Sequence, residues 1–122
     1  MQENASPQLE NGHTRIANEL LEAIIKCHFS ATELDIIWLI ARKTYGWNRK
    51  EAIISYSMMA KGIDGDIRYV KRMVSRLIKN RVIFKAKIDN QNLFGLNKNY
   101  KSWGLWIAGN IGVEKTTSIV VS

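Results

Sequence analysis

Basic side chains are concentrated in one segment of the sequence. Residues 61–87 contain nine lysines and arginines, opposed only by Asp64 and Asp66. This segment therefore holds the whole net charge of +7, and the remainder of the chain is neutral overall. A positive excess confined to one segment is typical of a surface that binds a polyanion, the alternative being a solvated basic face without a partner.

Within this segment, apolar and basic residues alternate with the period of a helix. Asp66 is a suitable N-cap residue, and the pattern predicts a helix over residues 67 to about 80. Its inward positions are Val70, Met73 or Val74, Leu77 and Ile78. Its outward positions are Arg68, Lys71, Arg72, Ser75 and Lys79, with Tyr69 and Arg76 at the borders. Such a helix presents its outward residues together, and arginines there can form paired hydrogen bonds with guanine.

Catalytic chemistry has no comparable signature in the sequence. His13, Cys27 and His28 lack the spacing of metal ligands, and there is no Gly-Lys-Ser/Thr phosphate loop. Two Gly-x-x-Gly stretches, starting at Gly62 and Gly109, occur without the strand and helix order of a KH RNA-binding domain. We therefore predict a protein that is not an enzyme and that uses no cofactor and no metal.

Three further helices are predicted ahead of the basic one. The first is expected to be capped by Thr14 and to run to about residue 28. The second follows a capping box made by Ser30 and Glu33 and runs to about residue 44, where Gly46 is expected to adopt the left-handed conformation that ends it. The third is short, over about residues 57–62, with Met59 and Ala60 inward.

The second helix is apolar nearly all round, which is typical of a central helix. We therefore expect Trp38 to be largely buried, and Trp47 to be buried beside Tyr45 where the two close the end of this helix. Arg42 and Lys43 lie in its last turn, where cations suit the helix dipole, and this role is favoured over a contact with DNA.

The remaining elements are predicted to be strands. Residues 53–54 can form a short strand, and residues 82–88 and 93–96 flank a polar turn and form a β-hairpin. Lys85 and Lys87 alternate along the hairpin and point the same way. Tyr100, Trp103 and Trp106 are expected to fold back onto the core. The predicted fold class is mainly α with a small β-hairpin, an α+β domain.

A short helix, a tight turn, a basic helix and a basic hairpin follow one another in the order of a winged helix-turn-helix. In that fold the second helix of the pair lies in the major groove of double-stranded DNA, and lysines of the wing contact phosphate. The alternative for the same pattern is a protein-interaction module. Four further residues of the predicted DNA-binding set lie outside the basic helix and the hairpin: Arg15 beside the N-terminal arm, Arg49 and Lys50 in a loop, and Lys98 after the hairpin.

Three stretches of sequence resemble a known family, the N-terminal domain of phage replication protein O. NGHTRIANELLEA at residues 11–23 resembles the opening of that domain, and RKTYGWN at residues 42–48 looks like its most distinctive motif. FGLNKN at residues 94–99, with Trp103, resembles the stretch after its wing. The resemblance runs from about residue 10 to residue 103.

The resemblance implies a winged-helix domain that binds repeated sites, called iterons, in a phage replication origin, as a homodimer on DNA. The resemblance also implies a separate C-terminal region that recruits the helicase-loading machinery. Because 122 residues leave no room for that region, a domain cut from a longer protein is favoured over a short relative that binds DNA without loading helicase. Asp64-Gly65-Asp66 departs from the family's turn, which carries glycine, an aliphatic residue and then serine or threonine. A transcriptional regulator with the same fold is the alternative function, since fold does not separate the two.

The sequence predicts three segments: a flexible arm over residues 1–12, the winged-helix domain over residues 13–106, and a linker or tail over residues 107–122. No apolar run approaches the roughly 20 residues of a membrane span, and the N-terminus is polar. We therefore expect a cytoplasmic protein of a bacterial host, with no membrane partner.

Overall fold

The computed structural model of the chain describes residues 4–104. The helices of this part are α1 (Asn18–Cys27), α2 (Ala31–Thr44), α3 (Tyr56–Gly62) and α4 (Ile67–Lys79). The strands are β1 (Ala52–Ile53), β2 (Ile83–Ile88) and β3 (Gln91–Leu96), which form one antiparallel sheet in the order β1-β3-β2. The predicted α+β class is confirmed, and the short strand predicted at residues 53–54 forms one residue earlier and joins the hairpin as a third strand.

Helix α1 begins later than the sequence predicts. Ala17 precedes it with an extended backbone and no side-chain cap, so the prediction that Thr14 caps this helix is wrong. Thr14 instead lies against Gly46, its hydroxyl 3.1 Å from where a Cβ atom of that glycine would be. The chain before α1 therefore crosses the C-terminal end of α2 rather than adding a turn to α1.

The capping box that starts α2 forms as predicted. The Ser30 hydroxyl accepts a hydrogen bond from the Glu33 backbone (3.3 Å), and the Glu33 carboxylate accepts one from the Ser30 backbone N–H (2.9 Å). Ile36, Ile37 and Ile40 are fully buried, as a central helix requires. Trp38 is 37% exposed, so the prediction of its burial is wrong: α2 turns one side to solvent despite its apolar composition.

The end of α2 differs from the prediction in two ways. Gly46 does not adopt the left-handed conformation; the helix continues into a 3₁₀ turn over Tyr45–Trp47, and Asn48 takes that conformation with φ 56°. Trp47 is 63% exposed, with the Arg42 guanidinium 5.8 Å from its ring centroid, and so it does not anchor the core. Tyr45 does pack against the core, as expected.

Helices α3 and α4 are joined by a tight turn. The Ser55 side chain caps α3 and the Asp66 side chain caps α4, accepting from the Tyr69 backbone N–H at 3.1 Å. Asp64, with φ 56°, takes the left-handed position in the turn between them. The apolar side of α4 is buried through Val70, Met73, Val74 and Leu77, while Ile78 is partly buried.

Strands β2 and β3 form a tight hairpin. Asp89 and Asn90 both have positive φ, as in the two-residue turns that match the twist of a hairpin. The turn is therefore shorter than the predicted stretch 89–92, and β3 already begins at Gln91. Gly95 pairs with Phe84, whose ring lies so close that no Cβ atom could be accommodated between it and the Lys50 carbonyl.

The chain returns to the core after the hairpin. Trp103 is 1% exposed, donates from its Nε1 to the Asn97 carbonyl at 2.9 Å, and meets Phe29 and Tyr100 edge to face. Trp106 and the predicted tail over residues 107–122 lie outside the described residues. Among residues 4–104, none of the helices is both long enough and apolar enough to span a bilayer.

The contrast between the two tryptophans gives a stability prediction. Trp103→Ala should destabilise the fold by about 3–5 kcal/mol, because it empties a fully buried aromatic site. Trp47→Ala should cost about 1 kcal/mol or less, the loss of one exposed cation–π contact. Urea unfolding followed by circular dichroism measures both. Equal losses in the two variants would contradict the placement of these side chains.

Candidate nucleic-acid interface

The outward side of α4 is an uninterrupted polar and basic surface. It carries Arg68, Lys71, Arg72, Ser75 and Lys79, all exposed. These positions are three and four residues apart and lie opposite the buried Val70, Met73 and Leu77. Because α4 packs against α2, α3 and β2, the direction in which this surface points is fixed by the core.

Tyr69 and Arg72 form a pair within this surface. The Arg72 guanidinium lies 5.5 Å from the centroid of the Tyr69 ring, and Tyr69 is exposed at the N-terminal part of α4. An arginine stacked on an aromatic ring keeps its planar edge available for paired hydrogen bonds. The predicted set thus contains one arginine whose orientation is restricted before any ligand binds.

Arg76 is oriented away from this surface toward α2. Its Nε lies 3.9 Å from a carboxylate oxygen of Glu33, whose side chain is only 6% exposed. The Arg76 side chain itself is 60% exposed, so this is a long and partly screened ion pair. Arg76 therefore connects the C-terminal half of α4 with the N-terminus of α2.

The hairpin adds basic residues beside α4. Lys85 and Lys87 are exposed and, by strand alternation, share one side of β2 with the buried Ile83. The predicted common direction of the two lysines follows from this register, in which Lys85 pairs with Phe94 and Lys87 with Asn92.

Tyr56, which sequence reasoning did not select, connects the helix with the hairpin. The Lys85 ammonium donates a hydrogen bond to the Tyr56 hydroxyl (3.2 Å) and lies 5.4 Å from the ring centroid. The Lys71 ammonium lies 5.5 Å from the same centroid, and the ring meets the buried Phe94 edge to face. The sequence marks Tyr56 only as part of a helix start, because its partners are distant along the chain.

Three predicted contact residues lie around the opposite face of the sheet. Lys50 and Lys98 line a groove of about 320 Å³ with Phe84, which alternates with Lys85 along β2. Arg49 lines a second groove, of about 660 Å³, with Trp47 and with Ile53 and Leu93 of the sheet. The structure therefore does not bring these residues together with the outward side of α4.

Arg15 is the remaining predicted contact. It lies beside the 3₁₀ turn that follows α2 and lines a shallow groove with His13, Tyr45 and Asn48. The Tyr45 hydroxyl is buried without a hydrogen-bond partner among the described residues, and burial raises its pKa. Arg15 thus belongs to the same end of the molecule as Arg49.

Metal-binding and reactive groups are sparse in the described part of the chain. Residues 4–104 contain no group of three or more histidine, cysteine, aspartate or glutamate side chains placed to hold a metal ion. Cys27, the single cysteine, is the last residue of α1 and is buried in the core, and burial raises the pKa of its thiol to about 11. Its thiol therefore stays protonated at neutral pH.

An α+β domain that displays one basic helix beside a lysine-bearing hairpin has the features of a nucleic-acid-binding protein. The family model for bacteriophage replication protein O matches residues 6–103. The chain therefore belongs to the bacteriophage replication protein O family, and the resemblance seen in its sequence is confirmed.

Three phage proteins are similar to the chain. Replication protein 15 of Enterobacteria phage phi80 is 27% identical over 78% of the chain, and replication protein O of Escherichia phage lambda is 28% identical over 84%. DNA replication protein gp18 of Salmonella phage P22 is 30% identical over 88%. The matches cover 32%, 29% and 38% of these relatives, so the chain spans about a third of their length. No solved structure matches the chain.

Proposed function

We propose that this chain is a winged helix-turn-helix domain that binds double-stranded DNA in phage replication. Helices α3 and α4 are the helix-turn-helix pair, α4 is the recognition helix, and the β2–β3 hairpin is the wing. Family membership supports the link with phage DNA replication, since all three relatives are named as replication proteins. Binding, and not catalysis, is the proposed activity.

The basic side of α4 is the observation that carries this proposal. The buried residues of α4 fix the direction in which its basic side points, so the helix does not have to be reoriented when a ligand binds. An α-helix of this kind fits the major groove of B-DNA, which is about 12 Å wide. On this proposal Arg68, Arg72 and Ser75 meet base edges, while Lys79 follows the phosphate backbone.

The wing supplies backbone contacts in the proposed complex. Lys85 and Lys87 extend the positive surface of α4 on the same side of the sheet as Phe94. Arg49, Lys50, Lys98 and Arg15 stay secondary predictions, because they lie on the other face of the sheet or at the end of α2. A duplex would have to curve around the hairpin to reach them.

The proposed partners follow from the family. We propose that the DNA sites are repeated origin sequences, that two copies of the chain bind each inverted repeat, and that helicase-loading factors bind a region outside this chain. Its place of action would be the cytoplasm of the bacterial host.

Duplex binding should depend strongly on salt. If about five to eight phosphates are neutralised, log affinity should fall with log salt concentration with a slope of roughly −4 to −7. Fluorescence anisotropy of a labelled duplex between low and moderate salt measures the slope. A flat response, or no binding of any duplex, would disprove the proposed function.

Arg72 and Lys87 should have different effects on specificity. Arg72→Ala should cost about 1–3 kcal/mol on a duplex selected from a random-sequence pool, and should relax the sequence preference. Lys87→Ala should weaken selected and scrambled duplexes alike and reduce the magnitude of the salt slope by about one. Competition between the two duplexes measures both. If Arg72→Ala weakened both duplexes equally, α4 would contact only the backbone.

The proposed dimer on DNA predicts a stoichiometry of two chains per inverted repeat. Half-sites should then be separated by about one helical turn, 10–10.5 base pairs, or a multiple of it. Sedimentation of the chain with selected duplexes of varied spacing measures the stoichiometry. One chain bound to every tight site, regardless of spacing, would argue against a dimer.

A further inference from the structure

We propose that Tyr56, Lys71 and Lys85 form one binding site for a single backbone phosphate, located where α4 meets the hairpin. This inference rests on the proposed DNA-binding function and assigns a ligand to a part of that surface. It also gives Lys71, which the sequence places on the outward side of the helix with Arg68 and Arg72, a contact with the DNA backbone and not with a base.

The two lysines converge on one aromatic ring from different elements. Lys71 comes from α4 and Lys85 from β2, yet their ammonium groups lie 5.5 and 5.4 Å from the centroid of the Tyr56 ring. Lys85 also donates to the Tyr56 hydroxyl at 3.2 Å. The ring is held in turn by the buried Phe94, whose centroid is 5.9 Å away. The cluster is therefore built on packed parts of the fold.

The charges of this cluster are not balanced within the described residues. Neither lysine has a carboxylate within 4.0 Å there, since the ion pair that the structure shows is that of Arg76 with Glu33. The Tyr56 hydroxyl accepts from Lys85, and its own hydrogen has no acceptor among residues 4–104. Two cations and one O–H donor thus lie around the Tyr56 ring, and neither cation is paired with a carboxylate among these residues.

A backbone phosphate matches this set of donors better than a base edge does. Lysine is a compact point charge that binds phosphate without the paired geometry with which arginine reads guanine. A phosphate group offers two unesterified oxygens and one negative charge, enough to accept from both ammonium groups and the hydroxyl. Because the two lysines come from α4 and β2, one bound phosphate would fix the helix and the hairpin on the same DNA strand.

The test uses the 122-residue chain and a duplex selected by it from a random-sequence pool, with a scrambled duplex for comparison. Lys71→Ala and Lys85→Ala should each weaken both duplexes by about tenfold, the loss of a charge-assisted hydrogen bond. Each should also reduce the magnitude of the salt slope by about one, without relaxing the sequence preference. Tyr56→Phe keeps the ring but removes the donor, so it should weaken binding about two- to tenfold with an unchanged slope.

Pairs of substitutions show whether one phosphate is shared. The double variant of Lys71 and Lys85 should lose less affinity than the product of the single losses, because each lysine needs the other to hold the phosphate. Lys87→Ala is the matched control, because Lys87 lies on the same side of β2 without contact to Tyr56. The affinity loss in the double variant of Lys71 and Lys87 should equal the product of the two single losses. Thermal melting of each variant confirms that the fold is retained.

Neutral methylphosphonate groups placed one at a time in the selected duplex identify the contact directly. The unmodified chain should lose affinity at one position for which Lys71→Ala and Lys85→Ala show no further loss, while Tyr56→Phe and Lys87→Ala remain sensitive there. Sensitivity lost at different positions for Lys71 and Lys85, or a relaxed sequence preference in Lys71→Ala, would overturn the shared site and leave the DNA-binding function standing. Absence of binding to any duplex would overturn both.

Discussion

The burial of one side of α4 is the constraint on which the rest of the molecule depends. Val70, Val74 and Leu77 are fully buried, so the basic residues between them can only point outward. Without that burial, a helix so rich in like charges would be destabilised by their mutual repulsion. The core thus offsets an electrostatic cost, and what remains at the surface is a charged helix of fixed orientation.

Helix α2 is one of the elements against which α4 is buried, and Glu33 at its beginning contacts both helices. The Glu33 carboxylate completes the capping box of α2 through Ser30 and also faces Arg76 of α4. The carboxylate thus accepts a backbone hydrogen bond on one side and lies 3.9 Å from a partly exposed guanidinium on the other. The same side chain therefore contacts both the beginning of α2 and the C-terminal half of α4.

Local signals in the sequence predicted the fold where structure is decided locally. Ser30 with Glu33, and Asp66, mark the helix starts correctly, because a cap is a contact over three residues. Thr14 does not cap α1, because the chain at this residue lies against Gly46, a contact between distant positions that the sequence does not reveal. The predicted burial of Trp47 was wrong, because a hydrophobic residue after a helix does not reveal whether the core has room for it. Here the Arg42 guanidinium lies near its exposed ring.

For the candidate site, periodicity predicted the outward side of α4. The place of Tyr56 in the site could not be predicted, because its contact with Lys85 spans 29 positions.

The rate at which Cys27 is alkylated reports on local opening of the fold. Alkylating reagents attack the thiolate form of cysteine, and the buried thiol of Cys27, at the C-terminal end of α1, is protonated at neutral pH. Modification must therefore wait until this part of the core opens, so the rate of the reaction reports how often α1 separates from the rest of the molecule. Because no second cysteine is present, that rate belongs to one site and can be read by mass alone. The alkylation rate therefore gives the timescale on which α1 opens, which a measurement of global unfolding does not resolve.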